Sequence, residues 1–141
     1  TKPIRLLATT MLCFSLGTAA ADEEGIIKYR QNIMKAQGGY MGAMGMVVQG
    51  RADYATNMSD HARGLHALTK TISSLFPPNT DFGETDALEK IWENMDDFKA
   101  KATDTVQATE KLVAATGSGD RREILDAYQT VGKRCKACHE E

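Results

Sequence analysis

The stretch VGKRCKACH, residues 131–139, sets two cysteines and a histidine into a helical pattern of apolar residues. Upstream of Cys138, a cysteine and then apolar residues follow at intervals of three, four, three and four positions. They are Cys135, Val131, Tyr128 and Ile124. Such spacing keeps all of them on one face of an α-helix. Asp120, a residue type that favours helix N-caps, precedes the run. The stretch is therefore predicted to close a helix that carries both thiols on its buried face.

Three further helices are predicted upstream of this one. Apolar residues of the first recur every seven positions: Ile27, Met34, Met41 and Val48. We expect the first of these helices over about 24–48 and the second over about 54–75. The third is expected to begin at an N-cap, Thr85 or Asp86, and to end just before GSGD at 117–120. No stretch shows convincing strand alternation. The predicted fold is therefore all-α, an antiparallel up-down-up-down four-helix bundle.

The first predicted helix also contains four glycines: Gly38, Gly39, Gly42 and Gly45. Each lowers the intrinsic helix propensity by up to about 1 kcal/mol. Their number suggests that a partner helix or a flat ligand packs close to the backbone of this helix.

Residues 1–21 are typical of a secretory signal peptide. Lys2 and Arg5 precede an apolar run that is too short to span a bilayer, and Ala19–Ala21 fits a cleavage site. We expect a single mature domain over 22–141, exported to the periplasm and not held at a membrane. Cleavage would remove Cys13 and change the net charge from −2 to −4, with 15 basic against 19 acidic residues. This acidic balance argues against binding to nucleic acid.

The Cys-x-x-Cys-His spacing at 135–139 allows three interpretations. A thioredoxin-like dithiol needs its thiols at a helix N-terminus, but this motif lies at a predicted C-terminus. A zinc site would have only three ligands and no second Cys-x-x-Cys pair. The favoured interpretation is one covalent haem c, with Cys135 and Cys138 each adding to a vinyl group and His139 binding the iron. Attachment would also protect both thiols from the oxidation expected outside the cytoplasm.

Two residues of the first helix are candidates for the rest of the site. Arg30 lies on the apolar stripe, where a buried guanidinium needs an anion such as a haem propionate. Its alternatives are to reach solvent at a bundle end or to pair with an acidic side chain. Met34 lies one turn further along, where its thioether could bind iron on the side opposite His139. The alternative for Met34 is core packing.

Other metal-binding patterns are weaker. Several methionines could suggest a copper-handling protein, but part of the set lies on the stripe that core packing requires: Met34, Met41, Met44, Met46 and Met58. His61 and His66 stand five residues apart, which does not place them on one helical face. No nucleophile–base arrangement appears, so we do not expect an enzyme.

The chain from about Ile26 to His139 resembles the cytochrome c-prime and cytochrome c-556 family, the class II c-type cytochromes. The similar segments are KYRQNIMK at 28–35, LFPPNTDFGETDALEKIWENMDDF at 75–98, and VGKRCKACH at 131–139. All c-type cytochromes share the last motif. Its position at the end of a four-helix chain is much more specific.

The resemblance implies haem on Cys135 and Cys138 with His139 proximal, and Arg30 and Gln31 near the propionates. Met34 falls at the family's distal position, where the c-556 branch uses a methionine as sixth iron ligand. It therefore indicates that branch and single-electron transfer between redox partner proteins. The alternative is five-coordinate iron that binds nitric oxide or carbon monoxide. The family also suggests a homodimer through the first two helices.

Overall fold

The computed structural model of the protein describes residues 22–140, within which all regular structure is helical. Five α-helices occur in this range: α1 (Glu23–Val48), α2 (Met58–Thr69), α3 (Lys90–Glu93), α4 (Met95–Ser118) and α5 (Arg121–His139). Short 3₁₀ turns at Ala55–Asn57 and Ile72–Ser74 flank α2. The all-α prediction is confirmed. The predicted signal peptide lies outside the described residues.

The four longer helices form the predicted four-helix bundle. Helix α1 packs on α2 and on α5, and α4 packs on the same two helices. Neighbours in sequence are thus neighbours in space, and contact between α1 and α5 closes the ring. The fourth helix begins as predicted, because the Asp120 carboxylate accepts hydrogen bonds from the backbone N–H groups of Arg122 (2.8 Å) and Glu123 (3.0 Å).

The predicted start of the third helix is wrong. Residues 85 and 86 do not cap a helix, and α3 is a single turn that begins only at Lys90. The backbone leaves helical geometry at Asn94 (φ −126°, ψ 49°) before α4 begins. The Thr85 hydroxyl is instead engaged by the guanidinium of Arg30 at 2.9 Å. The Thr85 side chain, which the local pattern predicted to cap a helix, therefore makes a tertiary contact and caps no helix.

The predicted second helix is also too long at both ends. Its central part forms α2, while its ends form the two 3₁₀ turns and a kink at Lys70 and Thr71. After this kink the 3₁₀ turn at Ile72–Ser74 still contacts α4. The chain then turns into the loop of residues 75–89, which lies against α1.

Two separate groups of buried side chains fill the bundle. One joins α1, α2, α4 and α5: Met44, Met58, Ala62, Leu65, Ala108, Leu112 and Val131. The other lies where the chain leaves α2 and meets α4: Ile72, Leu75, Phe76 and Ala102. The first group closes its half of the bundle with apolar side chains. The second borders a cavity.

The glycines of α1 have different surroundings from those expected. An added Cβ at Gly38, Gly39 or Gly42 would meet no heavy atom within 4 Å. Only at Gly45 does a neighbour approach closely, since the Tyr128 hydroxyl lies 2.6 Å from the position of such a Cβ. That hydroxyl donates to the carbonyl oxygen of Met41 at 3.0 Å. Within the described chain, close packing explains one of these four glycines.

We expect Gly39→Ala and Gly45→Ala to have opposite effects on stability. At Gly39 an added methyl group meets no neighbour, so helix propensity should raise the free energy of unfolding by up to about 1 kcal/mol. At Gly45 the methyl group would displace the Tyr128 hydroxyl from Met41, and stability should fall. Denaturant unfolding of each variant beside the parent protein measures both. A stabilising Gly45→Ala would contradict the packing described.

Candidate functional site

One cavity of about 580 Å³ brings together all six residues singled out from the sequence. Helix α1 contributes Arg30, Gln31 and Met34, while α5 contributes Cys135, Cys138 and His139. Helix α4 and the 75–89 loop supply much of the remaining wall. Residues a hundred positions apart in sequence therefore line the same space.

The α5 wall presents the thiols and the imidazole at the end of the helix. Cys135 and Cys138 are half-buried, no disulfide joins them, and His139 is exposed. Burial, helped by the nearby Cys138, raises the pKa of the Cys135 thiol. A dithiol redox site needs the opposite shift, because the thiolate is the reactive form. The structure thus disfavours the thioredoxin-like interpretation on both position and protonation.

Arg30 on α1 is buried, with 3% of its surface exposed. Its two terminal nitrogens donate to four oxygens, the carbonyls of Leu75 (3.4 Å) and Thr80 (3.0 Å) and the hydroxyls of Thr80 (3.2 Å) and Thr85 (2.9 Å). The guanidinium also lies 4.5 Å from the centre of the Phe76 ring. Burial lowers the pKa of the Arg30 guanidinium, although arginine remains protonated in proteins.

Arg30 therefore neither reaches solvent nor pairs with an acidic side chain of residues 22–140. All four oxygens belong to neutral groups of the 75–89 loop, so its charge is solvated without being neutralised. Gln31 assists by donating from Nε2 to the carbonyl of Glu84 at 2.8 Å. These two neighbours on α1 fix the loop that forms one rim of the cavity.

Met34 is half-buried one turn beyond Arg30. It packs against the buried group around Ile72 and Phe76 and also lines the cavity. Met44 and Met58 lie in the other buried group. The methionines are thus divided between two regions, which leaves Met34 as the α1 methionine of the cavity.

Gln37, a cavity residue that sequence reasoning missed, lies three residues after Met34. Only 7% of its surface is exposed, and its amide nitrogen Nε2 has no hydrogen-bond partner among the described residues. The sequence did offer one signal for this residue, since Gln37 is a polar residue on the same stripe of α1 as Ile27, Arg30 and Met34. Its significance depends on burial, which the sequence does not show.

The cavity residues fit a covalently attached haem. The volume lies within the range of about 300–1,000 Å³ typical of small-molecule sites. Two thiols and an imidazole line one wall, a thioether lines another, and Arg30 brings a positive charge without an acidic partner. This is the donor set that an iron porphyrin with anionic propionates requires.

A metal site built from histidine, cysteine or acidic side chains alone is not found in the part of the chain that the structure describes. Residues 22–140 contain no group of three or more His, Cys, Asp or Glu side chains placed to hold a metal ion. The His66 ring nitrogen Nδ1 lies 3.0 Å from the Thr109 hydroxyl, and the His61 ring packs near that of Tyr40. Both histidines have structural contacts.

Known proteins match the chain over almost all of its described length. A family model described as Cytochrome C' matches residues 25–141. The chain belongs to the cytochrome c′ family. This family binds haem c, and its members carry electrons or bind gases.

Relatives with two different names lie at similar distance from this cytochrome c′ family member. Cytochrome c′ of Pararhodospirillum photometricum is 31% identical over 121 residues, covering 85% of this chain and 97% of the relative. Cytochrome c-556 of Agrobacterium tumefaciens (strain II Chrys) is 33% identical over 117 residues, covering 82% and 94%. Sequence similarity therefore establishes the family without separating its two branches.

A solved relative has the same fold. The structure of a ferrous variant of cytochrome c prime from Alcaligenes xylosoxidans with bound nitric oxide has a TM-score of 0.79 to this chain. The two are 34% identical, and the match covers 86% of this chain and 94% of the relative. Within residues 22–140, no helix is long and apolar enough to cross a membrane.

We expect Thr85→Val to loosen the loop at the cavity rim. The substitution removes an oxygen that accepts from the buried Arg30 guanidinium and from the backbone N–H of Ala87 (3.2 Å), so stability should fall by roughly 1.5–3 kcal/mol. Amide hydrogen exchange of residues 75–89 should become faster. The matched control is Thr103→Val, whose hydroxyl contacts only its own helix at Lys99. If the two variants unfold alike, the Arg30–Thr85 contact does not hold the loop.

Proposed function

We propose that this protein is a periplasmic electron carrier with one covalently bound haem c. The observation that carries the proposal is the cavity, in which Met34 of α1 and His139 of α5 line the same space. Haem supplies a metal centre that changes its oxidation state by one electron. A thioether and an imidazole as the two axial ligands would raise the reduction potential of that centre. No substrate is transformed, so the protein acts as a carrier rather than an enzyme.

Cys135 and Cys138 fix the group to α5. Each thiol would hold the haem through a thioether, formed by adding its S–H across one vinyl group. Since both residues line the cavity next to His139, attachment places the imidazole beside the porphyrin.

Arg30 and Gln31 are proposed to hold the propionate side. Four neutral oxygens solvate the buried Arg30 charge, but no carboxylate of residues 22–140 neutralises it. A propionate would supply the missing negative charge. Gln31 also lines the cavity, although its Nε2 already donates to the backbone of the loop. Its role is therefore to hold the rim as well as to contact the ligand.

The second candidate function is gas binding at five-coordinate iron, with Met34 packed nearby. The solved relative from Alcaligenes xylosoxidans contains nitric oxide, and that relative is 34% identical to this chain. Met34 favours electron transfer, whereas this comparison favours the binding of nitric oxide. Carbon monoxide is a second gas that five-coordinate iron would bind. The two functions differ in whether Met34 or a gas molecule would occupy one coordination position of the iron.

Export and assembly complete the proposal. Cleavage after Ala21 would retain Asp22, whose carboxylate accepts from the backbone N–H of Gly25 and caps α1. The mature domain, residues 22–141, would then meet redox partner proteins in the periplasm. A homodimer through α1 and α2 is compatible with the open space at Gly38, Gly39 and Gly42.

We expect Met34→Ala to convert a low-spin reduced spectrum into a high-spin spectrum. The substitution removes the only α1 thioether of the cavity in the described chain, so carbon monoxide should bind where it did not before. Visible spectra of the reduced protein, with and without carbon monoxide, measure the change. The control is Met46→Ala, which truncates a 40%-exposed methionine of the same helix. A reduced protein that stays low-spin after Met34→Ala excludes Met34 as a ligand.

Covalent attachment is tested by mass. The purified protein should carry the mass of one haem c after denaturation in acid. Replacing both Cys135 and Cys138 by alanine should abolish that increment, because no other cysteine occurs in residues 22–141. Haem retained in the denatured double variant would show that the motif is not the attachment site.

A further inference from the structure

The segment 81–89, at the rim of the cavity, carries as much negative charge as the whole predicted mature chain. Four exposed acidic residues and no basic residue occur in it: Asp81, Glu84, Asp86 and Glu89. The rest of residues 22–141 is balanced, with 15 acidic and 15 basic side chains. None of the four carboxylates forms an ion pair with a basic side chain of residues 22–140. The net negative charge is thus concentrated in one short loop segment.

Basic side chains near the segment cancel little of this charge. Lys28 of α1 lies near Glu84, but its pKa is raised first by its own ion-pair partner, Glu24. Arg30 is buried beneath the loop, and a bound propionate would offset its charge. Lys90, the first residue of α3, adds one positive charge beside four negative ones. The segment therefore stays negative toward solvent.

Two large apolar side chains of the same segment are exposed. Phe82 has 56% of its surface exposed and Leu88 has 54%. Acidic side chains alone are typical of a solvated face, whereas exposed large apolar groups are stabilised when a contact removes them from water. An apolar centre with a polar rim is the usual composition of a protein–protein interface. The carboxylates around this apolar pair indicate a partner whose surface is basic.

The backbone that presents these side chains is fixed. Two neighbouring side chains of α1 donate to the carbonyls of Thr80 (3.0 Å) and Glu84 (2.8 Å) and to the hydroxyl of Thr85 (2.9 Å). Phe82 lies between these anchored positions. Docking would therefore order little additional chain, which reduces the entropic cost of binding.

The segment also borders the cavity. Four of its consecutive residues line that space: Thr85, Asp86, Ala87 and Leu88. Leu88 is both a wall residue and an exposed side chain, so the cavity opens to solvent beside it. A partner seated on the segment would lie next to a haem in the cavity, and electron transfer between two proteins requires such proximity.

We propose that residues 81–89 are the docking surface for a redox partner protein with a basic surface patch. Phe82 and Leu88 form the apolar centre, and the four carboxylates steer the partner and fix its orientation. One electron passes between the haem iron and the redox centre of the partner, so one centre is oxidised while the other is reduced. The inference rests on the proposed haem in the cavity, but not on whether Met34 binds iron.

Small reagents measure the local charge in the haem-loaded protein. Tris(phenanthroline)cobalt(III) is a trivalent cation and ferricyanide is a trivalent anion, and each oxidises the reduced haem by taking one electron. The double variant Asp81→Asn with Glu84→Gln should slow oxidation by the cobalt complex about threefold at low ionic strength and speed oxidation by ferricyanide. High salt should remove both effects.

The matched control is the double variant Asp53→Asn with Glu110→Gln. It changes the net charge equally, and both residues are exposed and do not line the cavity. An effect of net charge would change both double variants alike, whereas charge at the cavity rim should affect the first variant far more. Equal rates for the two double variants would overturn the docking surface.

A protein probe tests the apolar centre. The probe is a basic c-type cytochrome with zinc in place of iron, whose light-excited porphyrin passes one electron to the ferric haem of this protein. Phe82→Ser should slow that transfer about fivefold. Tyr54→Ser, which truncates a 63%-exposed aromatic ring outside the segment, should not. An unchanged rate in Phe82→Ser would also overturn docking at this surface.

These measurements separate the docking surface from the proposed function. The spectrum recorded before mixing shows whether haem is bound, and purified protein without haem would overturn both. Haem-loaded protein that exchanges electrons equally well after the substitutions would overturn the docking surface alone.

Discussion

The buried guanidinium of Arg30 is the contact on which the rest of the site depends. It joins α1 to four oxygens of the loop that follows α2, over sequence separations of 45 to 55 residues. The loop contains two prolines and lacks regular structure, so it has few other means of holding a fixed path. Because Arg30 fixes that path, one side of the cavity remains a wall instead of open solvent.

One half of the bundle is a packed apolar core, and the other half contains the cavity. In one half, side chains such as Leu65, Leu112 and Val131 fill the interior completely. In the other half α2 has already ended and the break at Asn94 delays the start of α4. Fewer helices cross this region, so a ligand can occupy the volume that apolar side chains fill elsewhere. The Trp92 indole donates to the carbonyl of Pro77 at 2.9 Å and so joins α3 to the 75–89 loop.

Local sequence patterns predicted the parts of the protein that local physics determines. The seven-residue periodicity of apolar side chains predicted the helical bundle, and Asp120 predicted the start of α5. Both predictions succeeded because helix faces and caps depend on residues three or four positions apart. The Cys-x-x-Cys-His spacing likewise located one wall of the cavity. Thr85 was misassigned because its partner is Arg30, 55 residues earlier. Gln37 was missed because its isolation becomes visible only when the cavity has formed.

The cavity is lined from both ends of the described chain, with Met34 near its start and His139 near its finish. A site assembled from such distant segments consists of contacts with large sequence separations, and such contacts slow folding. A haem attached to α5, as proposed, would meet α1 only when the bundle closes. The visible absorbance of the haem would consequently change when the whole bundle closes. That absorbance could therefore report folding without an added label.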